Sequence, residues 1–170
     1  MKTILLEKPE DIKKKQKRLE KLLKIKMSFN EKEITIEGSP EDEYTAEKVL
    51  DAINLGFPLS KAELIKKRNH VLEILNIKEY TKRKDLKRIK ARIIGKKGRT
   101  IKTLCNLTEC HFELKDHDVG IIGAPECIKN AQEAIRSIIH GAKQGNVYSF
   151  LERNQPEKII DLGLKSKTKL

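Results

Sequence analysis

The feature that most constrains the fold is an internal repeat at a spacing of 85 residues. The segment Ile-Glu-Gly-Ser-Pro-Glu at residues 36–41 matches Ile-Ile-Gly-Ala-Pro-Glu at residues 121–126. Apolar positions continue to match on both sides without a gap, so that Leu50 aligns with Ile135. A chain of 170 residues has room for one ordinary domain or two small ones, and the repeat favours two related units.

Both copies contain the same order of predicted elements: a strand, a helix, two strands that form a hairpin, and a second helix. The paired strands alternate apolar and polar residues, or nearly so, and a proline opens each final helix. Gly56 and Gly141 stand where these helices are expected to end. The predicted elements are residues 3–6, 11–23, 25–29, 33–37 and 40–54 in the first copy, and 71–75, 100–107, 111–115, 119–122 and 125–140 in the second. This pattern predicts an α+β fold.

The copies differ at a glycine loop that only the second one contains. Gly95 and Gly98 have no counterpart, because the positions 85 residues earlier hold Glu10 and Lys13. The second copy also has an additional predicted helix at residues 81–93, between its first strand and the loop. The second unit therefore reads strand, helix, glycine loop, helix, strand, strand, helix.

Basic residues are concentrated around that loop. The chain carries a formal net charge of +12, and residues 78–102 contain 12 Lys or Arg against 2 acidic residues. Residues 31–51 contain 8 acidic residues against 2 basic ones. Clustered positive charge favours a polyanionic partner, with nucleic acid ahead of an anionic membrane. No apolar run is long enough to span a bilayer, and we expect a soluble, cytoplasmic protein.

The loop itself has the chemistry of a phosphate-binding site. Two glycines three positions apart allow a sharp turn and leave no Cβ to hold a phosphate backbone away. The helix that follows directs free N–H groups and its positive dipole end at the loop. Lysines in the loop add mobile positive charge, and the apolar residues before it supply a floor for bases. The candidate RNA-binding residues are Arg92, Ile94, Gly95, Lys96, Lys97, Gly98, Arg99 and Lys102.

The string Ile94-Gly95-x-x-Gly98-x-x-Ile101-Lys102-x-Leu104 resembles the motif of the KH domain, whose glycine loop clamps about four nucleotides of single-stranded nucleic acid. The resemblance implies two packed type I KH-like units, each a three-stranded antiparallel sheet with helices on one face, the first of them degenerate. The strand at residues 111–115 would form the other wall of the groove, with Phe112 expected to face the core. The expected boundaries are residues 1–68 for the degenerate unit, 69–145 for the KH domain, 146–156 for a short C-terminal helix and 157–170 for a flexible tail.

Among KH proteins, the chain is similar to archaeal ribosomal RNA processing factors and to the Pno/Dim assembly factors of the small ribosomal subunit. The segment 141–153 and the tandem arrangement, with a glycine loop only in the second unit, carry this resemblance. It implies a non-enzymatic protein that binds single-stranded RNA in the 3′ end region of small-subunit rRNA or its precursor during ribosome assembly. The partners it implies are the endonuclease that matures that end and the alpha subunit of a translation initiation factor. A general RNA chaperone or regulator, and the RNA-binding subunit of a nuclease complex, are the alternatives.

The first unit is expected to be a scaffold or a protein-docking surface. Acidic Glu10 and Asp11 stand where the second unit would place phosphate, and like charges there repel it. The acidic segment at residues 31–51 suits a basic partner protein.

Other chemistries find less support in the sequence. Aromatic residues make up 4% of the chain with no Trp, too few for RRM or OB-fold base stacking. A zinc site would have to use Cys105, Cys110, His111 and His117, but their spacing contains no C-x-x-C pair. We therefore expect the cysteines to be buried, reduced thiols. The run Asp-His-Asp at residues 116–118 falls where the hairpin must turn. We therefore expect no catalytic residues, no metal and no cofactor.

Overall fold

A computed structural model describes residues 1–156 of the chain. Within them lie two antiparallel sheets of three strands, each accompanied by its own helices. In both sheets the last strand along the chain lies at the centre, which confirms the predicted α+β architecture of two KH-like units. The expected flexible tail, residues 157–170, lies outside the described residues.

The first sheet has the strand order β1-β3-β2 and consists of Lys2–Leu5 (β1), Lys26–Asn30 (β2) and Glu33–Glu37 (β3). Its helices are Pro9–Lys13 (α1), Gln16–Leu23 (α2) and Pro40–Asn54 (α3), followed by the short helices Leu59–Ala62 (α4) and Leu64–Lys67 (α5). The apolar residues of β2 and β3, including Met27, Ile34 and Ile36, are buried among these helices. Ser28, which alternates with Met27 on β2, is exposed on the other face.

The predicted helix at residues 11–23 is two helices in the structure. The chain turns at Lys14 and Lys15, and α2 begins at Gln16. The side-chain amide of Gln16 donates to the Met27 carbonyl at 2.9 Å, which ties the start of α2 to β2. Ile12 before the turn and Leu19 after it are both buried in the same core.

The second sheet has the order β4-β6-β5 and consists of Val71–Asn76 (β4), His111–Lys115 (β5) and Asp118–Gly123 (β6). Its helices are Ile77–Tyr80 (α6), Leu86–Ile94 (α7), Arg99–Thr108 (α8), Pro125–Ile139 (α9) and Gln144–Arg153 (α10). The helix predicted at residues 81–93 was placed too early. Asp85 caps α7 by accepting from the Arg88 backbone N–H at 3.2 Å, and Thr81 accepts from the Arg83 N–H at 3.1 Å, so the segment before Leu86 is a capped turn.

Strand β6 is buried on both faces. Val119 and Ile121 belong to the core beneath the helices of the second unit. Ile122 belongs instead to the core of the first unit, and Gly120 lies against Phe57 from the segment after α3. Burial on both sides explains why this strand reads as an almost continuous apolar run rather than as a clean alternation. The first unit therefore covers the centre of the outer face of the second sheet, whereas Ile74 on the same face of the edge strand β4 stays 43% exposed.

Candidate nucleic-acid interface

The glycine loop is a tight turn between two helices. Helix α7 ends at Ile94, a single 3-10 turn covers Lys96–Gly98, and α8 begins at Arg99. Gly95, Lys97 and Gly98 all have positive φ, at 76°, 56° and 71°. Glycine adopts this conformation without the steric cost that an L side chain carries, whereas Lys97 adopts it at a cost of about 1–2 kcal/mol.

The two glycines of the loop have different roles. A Cβ on Gly95 would lie 2.1 Å from Thr100 Oγ1 and 2.7 Å from the Thr100 backbone nitrogen, so Gly95 lets the loop pack closely on the first turn of α8. A Cβ on Gly98 would have no heavy atom within 4 Å, although φ at this residue is also positive. Gly95 is therefore required by the protein's own packing. Gly98 leaves an open surface that a ligand backbone can approach.

A contact from the C-terminal helix holds this turn in place. The Gln144 side-chain amide, at the start of α10, donates to the Arg92 carbonyl at 3.1 Å and to Thr100 Oγ1 at 3.0 Å. It thus joins the last turn of α7 to the first turn of α8 across the loop. The motif does not identify Gln144 as part of the site. The only sequence signal was its place in the segment 141–153 that carried the family resemblance.

The start of α8 points uncompensated positive charge at the loop. Its N-cap residue is Gly98, no side chain accepts a hydrogen bond at the cap, and the first turn contains no acidic residue. The first backbone N–H groups of a helix have no intrahelical acceptor, and the dipole adds partial positive charge at the same end. This arrangement favours an anion beside residues 96–99.

The basic side chains around the loop are exposed and have no acidic partners. Lys96, Lys97, Arg99 and Lys102 lie at the surface, and within residues 1–156 none of the 12 basic residues of segment 78–102 forms a salt bridge. In the first unit, by contrast, Lys66 pairs with Asp42 at 2.8 Å and Lys2 pairs with Glu47. The positive charge near the loop is thus available to an external anion, whereas acidic residues in the first unit partly neutralise its own charge.

Two of the predicted site residues have distinct surroundings. Ile94 is 39% exposed at the end of α7, next to the loop, where an apolar floor was expected. Arg92 is half-buried, and its guanidinium donates to the carbonyl of Ile138 at 3.1 Å and to that of Ala142. Arg92 therefore braces the C-terminus of α9, a structural contact that the sequence does not predict. The structure groups Ile94 and the remaining six predicted residues around the loop and the start of α8.

The strand β5 is one of the two edge strands of the second sheet. Phe112 is 6% exposed in the core beneath the helices, as expected. Leu114, on the same face of the strand, is half-buried and is the side chain that β5 leaves open toward the helix side. Glu113 pairs across the sheet with Gly120 and so faces the first unit, where burial raises the pKa of its carboxyl. Lys115 also turns to the first unit, donating to the Asn54 carbonyl at 2.6 Å.

The three cysteines are packing residues in this structure. Cys110 and Cys127 are buried and Cys105 is half-buried. Burial raises the pKa of the Cys110 thiol to about 12, so this thiol is protonated at neutral pH. A Cβ on Gly123 would lie 2.4 Å from Cys110 Sγ, which shows how closely the sulfur packs on β6. Asp116 has a positive φ of 50° in the turn between β5 and β6, where the sequence predicts that turn.

None of the helices within residues 1–156 has both the length and the apolar character needed to cross a bilayer.

Comparison with known proteins agrees with the geometry of the loop. Residues 71–156 match the model of the eukaryotic-type KH domain (KH-domain type I), in the form found as the second such domain of Pno1.

Two relatives and a solved structure illustrate what this chain is similar to. A KH domain-containing protein of Methanocaldococcus jannaschii is 29% identical over 147 residues, covering 82% of this chain and 65% of that protein. The pre-rRNA-processing protein pno1 of Emericella nidulans is 31% identical over 111 residues, covering 63% of this chain and 43% of that protein. The chain thus spans less than two thirds of the length of these curated relatives.

The solved structure is that of the archaeal Dim2 protein of Pyrococcus horikoshii, in a complex with an initiation factor 2 alpha subunit and rRNA. It superposes with a TM-score of 0.80 at 27% identity, and the match covers 89% of this chain and 92% of the Dim2 chain. The family match over half of the chain, the paired sheets and the glycine loop together show that the chain belongs to the Pno1/Dim2-like family of KH-domain proteins.

Proposed function

We propose that this chain is a non-enzymatic, single-stranded RNA-binding protein, and that its glycine loop holds the phosphate backbone. The observation that carries this proposal is the open surface of Gly98, flanked by exposed Lys96, Lys97, Arg99 and Lys102 at the uncompensated start of α8. Backbone N–H groups and unpaired cations that converge on one open surface favour a phosphodiester.

The proposed groove runs between the loop and the β5 edge. Phosphates lie over Gly98 and the start of α8, while bases turn inward toward the exposed Ile94 and the half-buried Leu114. Apolar contact and backbone interactions replace the aromatic stacking that this chain lacks. The glycine loop of a KH domain clamps about four nucleotides. Arg92 supports the loop from behind through its contacts with the end of α9.

The proposed target is the 3′ end region of small-subunit rRNA or its precursor, bound during ribosome assembly. Two findings support it: the Emericella relative is a pre-rRNA-processing protein, and the similar Dim2 structure contains rRNA and an initiation factor alpha subunit. We extend the proposal to the same alpha subunit and to the endonuclease that matures this rRNA end. A competition assay between a 3′ end oligonucleotide and a scrambled one of equal length measures whether the protein prefers the proposed target.

We further propose that residues 1–68 form a scaffold that does not bind RNA, with the KH domain at residues 69–145. The first unit covers the outer face of β6 through Phe57 and contributes to the core that contains Leu72 and Ile122. Its acidic side chains are partly engaged, since Asp42 and Glu43 pair with Lys66 and the N-terminal amine. Glu31, Glu33, Glu37 and Glu41 are exposed and make no ion pair within residues 1–156, which leaves acidic surface for a basic partner.

The direct test is the Lys96→Asp/Lys97→Asp double variant. Both side chains are exposed and form no salt bridge within the described residues 1–156, so we expect the variant to fold normally and to lose binding to a fluorescently labelled single-stranded RNA. The matched control is Lys17→Asp/Lys21→Asp on the exposed surface of α2, which changes the net charge by the same amount. Equal RNA affinity in the loop variant and the control would refute the proposal.

A second assay separates binding from catalysis. Labelled RNA is incubated with the purified protein and a divalent cation, and the product lengths are measured. A non-enzymatic binding protein leaves the RNA length unchanged. RNA that is shortened by the wild type and left intact by the Lys96→Asp/Lys97→Asp variant would favour the nuclease alternative.

A further inference from the structure

We propose that a second anion site lies on the other side of α7 and holds phosphates of the RNA that extend beyond the nucleotides in the glycine loop. This inference rests on the proposed function. The site is a cleft of about 610 Å³ between the turn that precedes α7, the helix itself and the end of α9. Its polar lining consists of Arg83, Lys84, Asp85, Arg88, Arg92 and His140.

Two guanidinium groups meet in this cleft over Gly141. The position of a Cβ on Gly141 would be 3.8 Å and 3.9 Å from the two terminal nitrogens of Arg83, and 3.9 Å from Nη1 of Arg92. Gly141 has a φ of 100° and no side chain, so it leaves the space in front of these groups open. Both groups thus approach the same point in front of Gly141, and an anion bound there would interact favourably with both positive charges.

The part of the chain that the structure describes does not provide that anion. Within residues 1–156, Arg83, Lys84 and Arg88 form no salt bridge. The one acidic residue of the lining, Asp85, accepts from the Arg88 backbone N–H as the cap of α7. Arg92 donates to the carbonyls of Ile138 in the last turn of α9 and of Ala142 just after it. The side chains of Arg83, Lys84 and Arg88 make no hydrogen bond to any of residues 1–156.

The chemistry of the lining fits phosphodiesters. Arginine presents a planar set of donors that match two phosphate oxygens, and lysine adds a mobile point charge. A polymer with regularly spaced phosphates can contact both this cleft and the loop. Helix α7 sets the distance between them: Arg88 and Gly95 are seven residues apart, which corresponds to about 10 Å along the helix axis. A strand held at Gly98 therefore needs to continue only a short way past α7 to reach the cleft.

The test compares the Arg83→Glu/Arg88→Glu variant with the control Lys17→Glu/Lys21→Glu, which makes the same change in net charge on the first unit. Three RNAs are titrated by fluorescence anisotropy at several salt concentrations: a four-nucleotide single strand, a twelve-nucleotide single strand, and a stem with a four-nucleotide overhang. We expect the cleft variant to bind the tetranucleotide like the control. We expect it to bind at least one longer RNA about tenfold more weakly, with a salt dependence reduced by the loss of one or two phosphate contacts.

The longer RNA that is affected identifies the source of the phosphates, either a continuing single strand or a flanking stem. The inference is overturned if both longer RNAs bind the variant as tightly as the control, or if the tetranucleotide is weakened to the same extent. The Lys96→Asp/Lys97→Asp variant is measured in parallel and should lose the tetranucleotide. A wild-type protein that binds none of the three RNAs would refute the proposed function itself, and the cleft inference with it.

Discussion

Gly120 on the central strand of the second sheet lies directly against Phe57 of the first unit: a Cβ on Gly120 would stand 2.8 Å from Phe57 Cε2 and 3.0 Å from Leu55 Cδ1. The segment that follows α3 therefore packs directly against the backbone of β6 at Gly120. Ile122, two positions along the same strand, is fully buried in the core of the first unit. Because the two units share this packed surface, we expect them to unfold together.

Gly120→Val tests that shared surface. The branched side chain has no room against Phe57 and Leu55, so we expect the free energy of unfolding to fall by about 1–3 kcal/mol. Chemical denaturation followed by circular dichroism measures this loss, and the transition should stay single. The control is Gly145→Ala in α10, where a Cβ meets no atom within 4 Å. If the Gly120→Val protein were as stable as the wild type, Phe57 and Leu55 would not be closely packed against Gly120.

The two loop glycines should respond differently to alanine. In Gly95→Ala, the Cβ collides with the buried Thr100 and φ is positive, so we expect a loss of about 2–3 kcal/mol in stability. In Gly98→Ala, only the backbone conformation is strained, at a cost of about 1–2 kcal/mol. The new methyl group of Gly98→Ala faces the open surface that is proposed to contact RNA. We therefore expect this variant to lose more RNA affinity than stability. Thermal denaturation and RNA titration of both variants measure the contrast, and the reverse order of stability would contradict the assigned roles.

The salt dependence of RNA binding should show which basic side chains around the loop contact phosphates. Each phosphate contact to single-stranded RNA adds about 0.7 to the slope of log affinity against log salt concentration. Lys102→Gln removes one exposed charge next to the loop that forms no salt bridge within residues 1–156, and it should reduce that slope by about 0.7. Lys17→Gln on α2 serves as the control and should leave it unchanged. If the two variants have equal slopes, Lys102 does not contact a phosphate.

Glu63 should make stability depend on pH in the acidic range. The carboxylate is 2% exposed, and Arg18 Nη2 donates to its Oε2 at 2.8 Å. Burial raises the pKa of Glu63, but the hydrogen bonds from Lys67 and Arg18 outweigh burial, and the net pKa is lowered. A lowered pKa in the folded state gives stability that is present above the ordinary glutamate pKa of about 4.3 and is lost as pH falls through the folded value.

Glu63→Gln should therefore cost about 1–2 kcal/mol at pH 7, because hydrogen bonds to a charged acceptor are lost. The difference in unfolding free energy between the variant and the wild type should shrink as pH falls below about 4. Urea denaturation of both proteins across a pH series measures this difference in unfolding free energy. Glu152→Gln in α10, an exposed acid, should show no such trend. A difference that is constant with pH would mean that the charge of Glu63 does not contribute.

The local pattern of residues predicted most of the secondary structure. The boundaries of β3, β5 and α3 agree with those predicted at residues 33–37, 111–115 and 40–54, because alternation and a proline at the first turn are local signals. The start of α7 was predicted five residues too early. A run of basic residues at 82–84 is compatible with a helix, and only the capping contacts of Thr81 and Asp85 show that the helix begins after them.

What the sequence by itself determined is the duplicated plan and the position of the one glycine loop, since both depend on spacing along the chain. Tertiary structure decided which surfaces those elements expose. Only the packing of the first unit on β6 shows why position 120 has no room for a side chain. The same packing shows that Glu113 and Lys115 face away from the proposed groove. Only the fold brings Gln144 to the loop, and Arg83 and Arg92 together over Gly141. These contacts join residues far apart along the chain, and the geometry that brings them together depends on how helices and sheets pack rather than on any local pattern.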